Sequence, residues 1–346
     1  MTLKVGIIGV AGWFYPQAYA RILKSIVEVK LVSAAHLGAS DDYIRITTPG
    51  YTKDSYAKEF GVELYEDPGE MIKKEKLAAV CICGEYRLKA NYIEMAAENG
   101  VDIFVAKPPA TTIEEMDRML KAERKNNVKI SVSDPGRFSS MFSEVHSRVE
   151  DGEIGKLISM RVLHQHGKLT INPDHWYLKE ENGGPELSLG WYTASLLRWF
   201  INSEAIRVFA EYDNYATEGS PFMDNGKALV RFENGSIGSM DIYFSVEWPF
   251  KWMEVELMGT EGSIIATESH FERQYSIYEK EGITSSVWDP PAPLERETNE
   301  IKDWVKACTN KTEPKFSAAE AKRILKMCLA WRESARNNQP MLLRMG

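Results

Sequence analysis

The residues best able to do chemistry lie where apolar segments of the chain end. The segment "VDIFVAKPPATTIEE", residues 101–115, runs from an apolar stretch into Lys107, then two prolines, then a helix-like stretch. A lysine at the carboxyl end of a buried parallel strand points toward the crevice where such sheets bind ligands. The prolines fix φ and remove hydrogen-bond donors, and the Lys107–Pro108 bond could be cis. Lys107 is therefore either a site residue or a solvated lysine beside a rigid turn.

A second candidate is the glycine-containing turn in "VGIIGVAGWFYPQAYARIL". Glycines in a strand-to-helix turn let the backbone approach a pyrophosphate that rests on the helix N-terminus. In the G-x-G-x-x-G register from Gly9, the second and third positions hold Ala11 and Phe14, and Gly12 follows the second position directly. The turn, with Trp13 in it, either binds a dinucleotide or is an ordinary tight turn.

The next apolar segment, "VKLVSAAHLG", ends in His36. In dinucleotide sites an Asp or Glu at this place accepts a hydrogen bond from the ribose 2′-hydroxyl of NAD. His36 could instead favour the 2′-phosphate of NADP, stack on adenine, or only cap the loop, and the sequence leaves these alternatives open. The predicted cofactor is accordingly NAD or NADP.

The strands and helices that must position these residues are predicted from two different sequence patterns, one in each part of the chain. Through residues 1–133, short runs of Val, Ile and Ala alternate with helix-like patterns, which is typical of a parallel sheet covered by helices on both faces. Residues 134–346 contain longer alternating strands, and "FENGS" and "MGTEGSI" predict tight turns between them. We predict a doubly wound α/β Rossmann domain over 1–133 and an α+β domain with a large, mainly antiparallel, open-faced sheet over 134–346.

Composition excludes several classes of protein. The 346 residues are 44% hydrophobic, which suits two globular domains, and the net charge of -8 without a basic run argues against nucleic-acid binding. There is no apolar run of membrane-spanning length, and the N-terminus enters a strand-like segment without a signal-peptide pattern. The four cysteines lack metal-type or disulfide-type spacing. These features predict a cytoplasmic protein without a membrane segment.

Several segments together resemble the Gfo/Idh/MocA dehydrogenase family (glucose-fructose oxidoreductase, inositol dehydrogenase and rhizopine catabolism). "VDIFVAKPPATTIEE" is similar to its Glu-Lys-Pro segment, and "GGPELSLGWYTASLLRWF" to its helix beginning with two glycines. "GRFSSMFSEVHSRVEDGEIGKLISMRV" resembles the turn and helix that lead into its second domain. The resemblance implies an NAD(P)-dependent oxidoreductase of a small sugar or polyol, with Lys107 and Pro108 at the cofactor. It also implies a homodimer or homotetramer that uses the open sheet face.

The chain departs from the pattern of that family at ionisable positions. The family's Glu before the lysine is Ala106 here, its Asp and His fall on Ser188 and Tyr192, and its later Asp falls on Ser195. Hydride transfer from a hydroxyl-bearing carbon needs a group that accepts the hydroxyl proton. Tyr192 could be that group if an ammonium such as that of Lys107 lowered its pKa, which is ~10 in model peptides. Equally, Tyr192 could be a packed helix residue.

Other polar residues could compensate for the missing groups. His175 and Tyr177, in "DHWYL", precede the two glycines in the region that the resemblance places beside the substrate, so His175 is a second candidate acid or base. His164 and His166 share one strand face and could contact a polyol, whereas a metal site would need more ligands than the sequence offers. Arg137 matches a family arginine that orients substrate or ties domains together. Ser188 and Tyr192 complete the predicted substrate contacts.

Two functions from different classes therefore fit the sequence. The first is an NAD(P)-dependent dehydrogenase that acts through Lys107 with Tyr192 or His175. The second is a catalytically inactive sensor or regulatory protein that kept the fold and binds dinucleotide or a sugar ligand. The missing Glu, Asp and His favour the sensor, and the retained lysine, arginine and glycine pair favour the enzyme.

Overall fold

A computed structural model describes residues 2–168, 172, 174–216 and 222–343. The chain forms two compact units, and neither is one continuous stretch of sequence. The first unit consists of Met1–Ser133, Asn172–Gly183 and Glu297–Arg323. The second consists of Asp134–Ile171, Gly184–Arg296 and Ile324–Gly346.

A six-stranded parallel sheet is the centre of the first unit. Its strands are β1 (Leu3–Ile8), β2 (Val29–Ala35), β3 (Glu63–Tyr65), β4 (Ala79–Ile82), β5 (Asp102–Val105) and β6 (Ile130–Val132). Their spatial order is β3-β2-β1-β4-β5-β6, so the chain order reverses between β1 and β4. β4 and β5 are buried along their whole length, as continuous apolar runs require when helices cover both sheet faces. A ligand crevice is expected at the carboxyl ends of β1 and β4.

Helices follow the strands of this sheet. They are α1 (Tyr15–Ser25), α2 (Asp41–Thr47), α3 (Lys53–Phe60), α4 (Pro68–Glu75), α5 (Lys89–Glu98) and α6 (Ile113–Asn126). The start of α6 is set by a capping box: Thr112 Oγ1 accepts a hydrogen bond from the amide of Glu115, and the Glu115 carboxylate accepts one from the amide of Thr112. The threonines and acids after the Lys-Pro-Pro turn therefore begin helix α6, which follows Lys107 closely in the sequence.

The second unit is built on a nine-stranded sheet. Its strands are β7 (Leu157–Gly167), β8 (Ala205–Asp213), β9 (Asn225–Phe232), β10 (Ile237–Val246), β11 (Met253–Gly259), β12 (Gly262–Glu268), β13 (Arg273–Glu279), β14 (Gly282–Val287) and β15 (Met341–Leu342). The order is β14-β13-β12-β11-β7-β10-β9-β8-β15, with β7 and β10 parallel and the other neighbours antiparallel. Both predicted turns are confirmed, since "FENGS" joins β9 to β10 and "MGTEGSI" joins β11 to β12.

One face of this sheet is covered by helix α8 (Gly184–Ile201), which follows α7 (Ser140–Glu150) in the chain. The contact with α8 is close at Gly238 of β10, where a Cβ atom would lie 2.2 Å from Cδ2 of Leu197. Glycine is therefore needed there for the helix to reach the sheet. The opposite face is open and carries exposed apolar side chains, among them Leu229, Met258 and Ile283.

The chain ends with helices α9 (Glu295–Asn310) and α10 (Ala318–Asn337). Within the first unit, the buried carboxylate of Glu300 in α9 accepts hydrogen bonds from Tyr19 Oη at 2.9 Å and Ser133 Oγ at 3.0 Å. Residues from both ends of the chain thus complete one core. Among the described residues, no helix is long and apolar enough to cross a membrane. The predicted fold class is confirmed.

Candidate functional site

The turn after β1 lies in direct contact with the turn after β4. Gly9 has φ +94°, and a Cβ atom on it would lie 2.8 Å from the carbonyl oxygen of Cys83. On Gly12 a Cβ would lie 2.6 Å from the amide nitrogen of Gly84. Both positions therefore require glycine, Gly9 for its conformation and Gly12 for the approach of the two backbones. The glycines mark the crevice at the point where the strand order reverses.

A cleft of about 400 Å³ opens beside these turns. It is lined by Gly9 and Ala11 after β1, by residues 36–40 after β2, by Gly84 and Glu85 after β4, and by Tyr43, Leu88 and Tyr92. A small number of polar groups on mostly apolar walls is typical of a site for a nucleoside-sized group. All of these residues belong to the first unit.

His36 stands at the end of β2 in the wall of this cleft. Its backbone is fixed by the hydrogen bond from its amide to the carbonyl oxygen of Tyr65, at 2.8 Å. Its Nδ1 is buried and has no hydrogen-bond partner among the residues that the structure describes. Burial lowers the pKa of His36, the charge of Lys53 lowers it further, and Glu66 and Asp41 oppose the shift. His36 thus lines the cleft with a lowered pKa, which favours its neutral form, while its Nδ1 is buried.

The other wall of the cleft carries a carboxylate. Glu85 accepts a hydrogen bond from Tyr43 Oη at 2.9 Å and one from Arg87 Nε at 3.1 Å. Burial, together with the neighbouring Glu85 charge, raises the pKa of Tyr43, so the phenol stays protonated and donates to the carboxylate. The cleft is therefore not a basic surface.

The segment Asn172–Gly183 packs on the turn after β1. Trp13, at φ +63°, places its indole 4.7 Å from the ring of Tyr177 and 5.7 Å from the ring of His175. Trp176 Nε1 donates a hydrogen bond to the carbonyl oxygen of Ala11 at 2.9 Å. The segment therefore holds the backbone of the predicted phosphate loop, a long-range contact that local sequence patterns do not reveal.

His175 is buried, and hydrogen bonds occupy both of its ring nitrogens. Nδ1 accepts the amide hydrogen of Tyr177 at 3.0 Å, so Nε2 carries the ring proton and donates to the carbonyl oxygen of Thr47 at 3.2 Å. Burial lowers the pKa of His175 to about 4. This geometry favours a packing role for His175 over the predicted acid or base role.

Lys107 follows the fully buried strand β5, and its side chain is only 3% exposed. The Lys107–Pro108 bond is cis. A second lysine, Lys89, lies directly behind this turn: its Nζ donates to the carbonyl oxygen of Ala106 at 2.6 Å and to that of Pro108 at 3.0 Å. Lys89 was not among the residues predicted from the sequence, although it lies on the buried face of α5 with Ile93 and could have been found as the charged residue on an apolar helix face.

The remaining candidates belong to the second unit. Tyr192, half-buried on α8, stacks on the buried ring of His164 with 4.9 Å between centroids, and its ring centroid lies 5.4 Å from that of Trp252. His166 stacks on Phe244 at 5.0 Å. The predicted substrate contacts Tyr192 and His164 are thus neighbours.

Arg137 and Ser188 are the other predicted substrate residues of the second unit. Arg137 Nε is 2.9 Å from the Asp134 carboxylate and 2.9 Å from Ser195 Oγ, while Ser195 Oγ itself donates to Asp134. Arg137 therefore ties Asp134 to α8, and Ser188 is a buried residue of that helix. In the described part of the chain, no group of three His, Cys, Asp or Glu side chains could hold a metal ion.

The sequence of this chain is similar to the sequences of two inositol dehydrogenases. It is 24% identical over 242 residues to the myo-inositol 2-dehydrogenase of Thermotoga maritima, a match that covers 68% of this chain and 71% of that one. It is 27% identical over 223 residues to the scyllo-inositol 2-dehydrogenase (NAD(+)) of Bacillus subtilis, covering 63% of this chain and 64% of the relative. The match thus spans a little under two thirds of the Bacillus enzyme.

Solved structures share the fold over nearly the whole chain. An oxidoreductase from Agrobacterium radiobacter in complex with NAD+, L-tartaric acid and magnesium superposes with a TM-score of 0.83 at 18% identity, covering 99% of this chain and 98% of that one. An aldose-aldose oxidoreductase from Caulobacter crescentus, complexed with glycerol, gives 0.83 at 18% identity, covering 99% and 100%.

Two family models match most of the sequence. Residues 3–134 match the oxidoreductase family with an NAD-binding Rossmann fold, and residues 142–265 match the GFO/IDH/MocA C-terminal domain. The first match covers the strands, turns and cleft described above. The second covers the greater part of the nine-stranded sheet and helix α8. The chain therefore belongs to the GFO/IDH/MocA family of oxidoreductases.

Proposed function

We propose that this protein is an NAD-dependent dehydrogenase of a polyol or a related sugar, and that Lys107 acts at the reacting oxygen. The observation that carries the proposal is the position of Lys107: a buried lysine at the carboxyl end of β5, in the family whose relatives include inositol dehydrogenases. Strand ends at this edge of a doubly wound sheet are where cofactor and substrate meet.

The residues of the first unit fit a dinucleotide. Gly9 stands in the turn between β1 and α1, where a pyrophosphate would rest near the helix N-terminus, the cleft suits an adenosine, and His36 lines the cleft at the end of β2, where the ribose would lie. Ala11, Trp13 and Phe14 complete the turn, and Pro108 fixes the backbone beside Lys107. When bound, NAD supplies the acceptor for the hydride.

Residues of this chain would bind the reacting oxygen and accept the proton of its hydroxyl group. Lys107 would hydrogen-bond the reacting oxygen and favour the form that carries negative charge, because a buried ammonium interacts strongly with such an oxygen. Tyr192, in its phenolate form, is our candidate acceptor of the hydroxyl proton, since it stands at the position of the family histidine and its ring is half-buried. His164, His166, Ser188, Arg137 and Tyr177 are the proposed residues around the substrate.

We further propose a preference for NAD over NADP. A 2′-phosphate needs cationic partners, but His36 is neutral and Glu85 presents a carboxylate in the same cleft. We expect NADH to bind at least about tenfold more tightly than NADPH, a difference of about 1.4 kcal/mol, as measured by quenching of tryptophan fluorescence. Glu85→Gln should improve NADPH binding and leave NADH binding within about twofold. Tighter binding of NADPH by the wild-type protein would contradict this preference.

The first test of function combines binding with turnover. Nucleotide-stripped protein is titrated with NADH and NADPH, and then assayed with NAD and a panel that contains myo-inositol, scyllo-inositol and aldoses. Binding together with turnover of one of these supports the dehydrogenase. Binding without turnover of any supports the inactive sensor, for which the absence of the family's Glu, Asp and His at Ala106, Ser188 and Tyr192 is the specific argument. Failure to bind either nucleotide contradicts the dehydrogenase and leaves the sensor that binds a sugar ligand.

The open face of the nine-stranded sheet is our proposed subunit interface. A row of directly paired residues crosses six strands on this face, and its apolar members are Ile237, Met258, Tyr278 and Ile283. Their exposed fractions are 39%, 40%, 38% and 66%, which is unusual for four large apolar side chains on one sheet face. A two-fold axis would let this row pack against its copy in a homodimer, or in a homotetramer built from such dimers.

Met258→Glu tests this interface. It places like charges opposite each other across a two-fold contact, and we expect the mass measured by light scattering to fall to that of a monomer. Val27→Glu is the matched control, because Val27 is 91% exposed in the first unit and should leave the mass unchanged. A wild-type protein that is monomeric at micromolar concentration would contradict the proposed subunit interface.

The proposed compartment is the cytoplasm. The four cysteines are all buried as free thiols, a state that a reducing compartment preserves.

A further inference from the structure

Lys89 is a fully buried lysine that the proposed reaction does not yet use. It is the first residue of α5, and its side chain is 0% exposed. Buried lysines are rare because an ammonium loses its hydration, so each one needs specific partners. The partners here are the carbonyl oxygens of Ala106, at 2.6 Å, and Pro108, at 3.0 Å. The Nζ also lies 4.5 Å from the centre of the Tyr86 ring.

These two carbonyls belong to the residues on either side of Lys107. The peptide planes before and after a residue determine the direction in which its side chain leaves the backbone. The Ala106 carbonyl belongs to the peptide plane directly before Lys107, and the Pro108 carbonyl belongs to the plane after Pro108, which the fixed φ of that proline links to Lys107. A single Nζ that binds both carbonyls therefore holds the backbone on both sides of Lys107 and, with it, the direction of the Lys107 side chain. The capping box of α6 holds the backbone only further along, at Thr112 and Glu115.

The electrostatic surroundings of Lys89 allow this role at neutral pH. Burial, together with the charge of Lys107, lowers the pKa of Lys89 to about 7, although Cys83 and Cys81 oppose the shift. An ammonium has three N–H donors and a neutral amine has two. Both forms can therefore bind the two carbonyls, and the neutral form does so without placing a second full charge beside Lys107.

We propose that Lys89 is a positioning residue for the reaction at Lys107: by binding the carbonyls of Ala106 and Pro108 together, it holds the Lys107 amine where the reacting oxygen must lie. The inference rests on the proposed function, since it assigns Lys89 a part in that same site. Correct orientation of a catalytic group strongly increases the reaction rate, and a misplacement of 1 Å can lower that rate about 10²-fold.

The kinetic test is Lys89→Met, which keeps an unbranched side chain and removes every donor. We expect kcat to fall about 100-fold while the KM for NAD and the affinity for NADH change less than about threefold, because the nucleotide cleft does not include Lys89. Arg118→Met is the matched control, because Arg118 of α6 donates hydrogen bonds to Asn91 and Glu94 of α5, the helix that also carries Lys89. It should retain the wild-type kcat. A wild-type kcat in Lys89→Met would overturn the proposal.

A second measurement is independent of turnover. Acetic anhydride labels lysine amines, and the rate at Lys107, followed by mass spectrometry and normalised to exposed lysines, reports how firmly its side chain is held. We expect this rate to rise at least about fivefold in Lys89→Met and to stay constant in Arg118→Met. An unchanged rate would show that Lys89 does not hold Lys107. If the wild-type protein failed to bind nucleotide, the proposed function would fall, and the labelling rates would still decide whether Lys89 holds Lys107.

Discussion

Lys107→Met is expected to lower kcat for polyol oxidation by at least about 10³-fold, which corresponds to about 4 kcal/mol of transition-state stabilisation. Methionine has a similar length and no charge, so it fills the buried position of Lys107 without a cavity. It cannot, however, donate a hydrogen bond to the reacting oxygen or stabilise its charge. Steady-state assays with the substrate found in the screen measure the loss, and the melting temperature checks the fold.

Binding of NADH separates a loss of chemistry from a loss of cofactor. Trp13 lies in the turn after β1, so tryptophan fluorescence reports nucleotide binding directly. Lys121→Met, which changes an exposed lysine of α6, is the matched control and should keep the wild-type kcat. Unchanged turnover in Lys107→Met would remove the role assigned to Lys107, and lost turnover in the control would show that the assay responds to surface charge.

Arg273→Met is expected to destabilise the second unit by about 3–5 kcal/mol. The carboxylate of Glu268 is 0% exposed and is bound by Arg273 Nε at 3.0 Å, Arg296 Nη1 at 2.7 Å and Ser139 Oγ at 2.6 Å. Arg273 also pairs with Glu295 at 2.7 Å. Removing one partner of a buried ion pair leaves charge without compensation, and that cost is larger than the net contribution of the intact pair.

Urea unfolding followed by circular dichroism measures this loss. The two units can unfold separately, so the transition must be assigned to the second unit, for example from its tryptophans by fluorescence. Arg207→Met, on the exposed side of β8, is the control and should change the free energy of unfolding by less than about 0.5 kcal/mol. A shift in Arg273→Met no larger than that of the control would mean that Arg296 and Ser139 satisfy Glu268 without Arg273.

The fold could be predicted where a segment carries its own signal. The runs at β1, β4 and β5 are mainly apolar, and the turn at residues 233–236 contains Asn-Gly, so their structure follows from local sequence. Strand β3 was missed because it has three residues and only its last is buried. It is a strand because β2 offers it a partner, and a tertiary reason of this kind leaves little trace in the sequence.

The site shows the same division. Gly9 and Lys107 stand at strand ends and could be identified as candidates from the sequence. The packing of Trp176 against Ala11, 165 residues away, could not, because nothing in the short segment around Trp176 indicates which loop it contacts. His175 was singled out for its chemistry, whereas its surroundings depend on Thr47, which is 128 residues distant. Residue type suggested the role, and only the fold revealed which hydrogen bonds were already made.

The shared carboxylate of Glu300 has a consequence for biosynthesis. Tyr19 and Ser133 emerge from the ribosome long before α9, yet both donate to a carboxylate that arrives only with that helix. The core of the first unit can therefore be completed only after the polypeptide has been extended through residue 323, when its six strands have long been translated. During that interval its sheet lacks part of its covering, and a chaperone that shields apolar surface would find its target there.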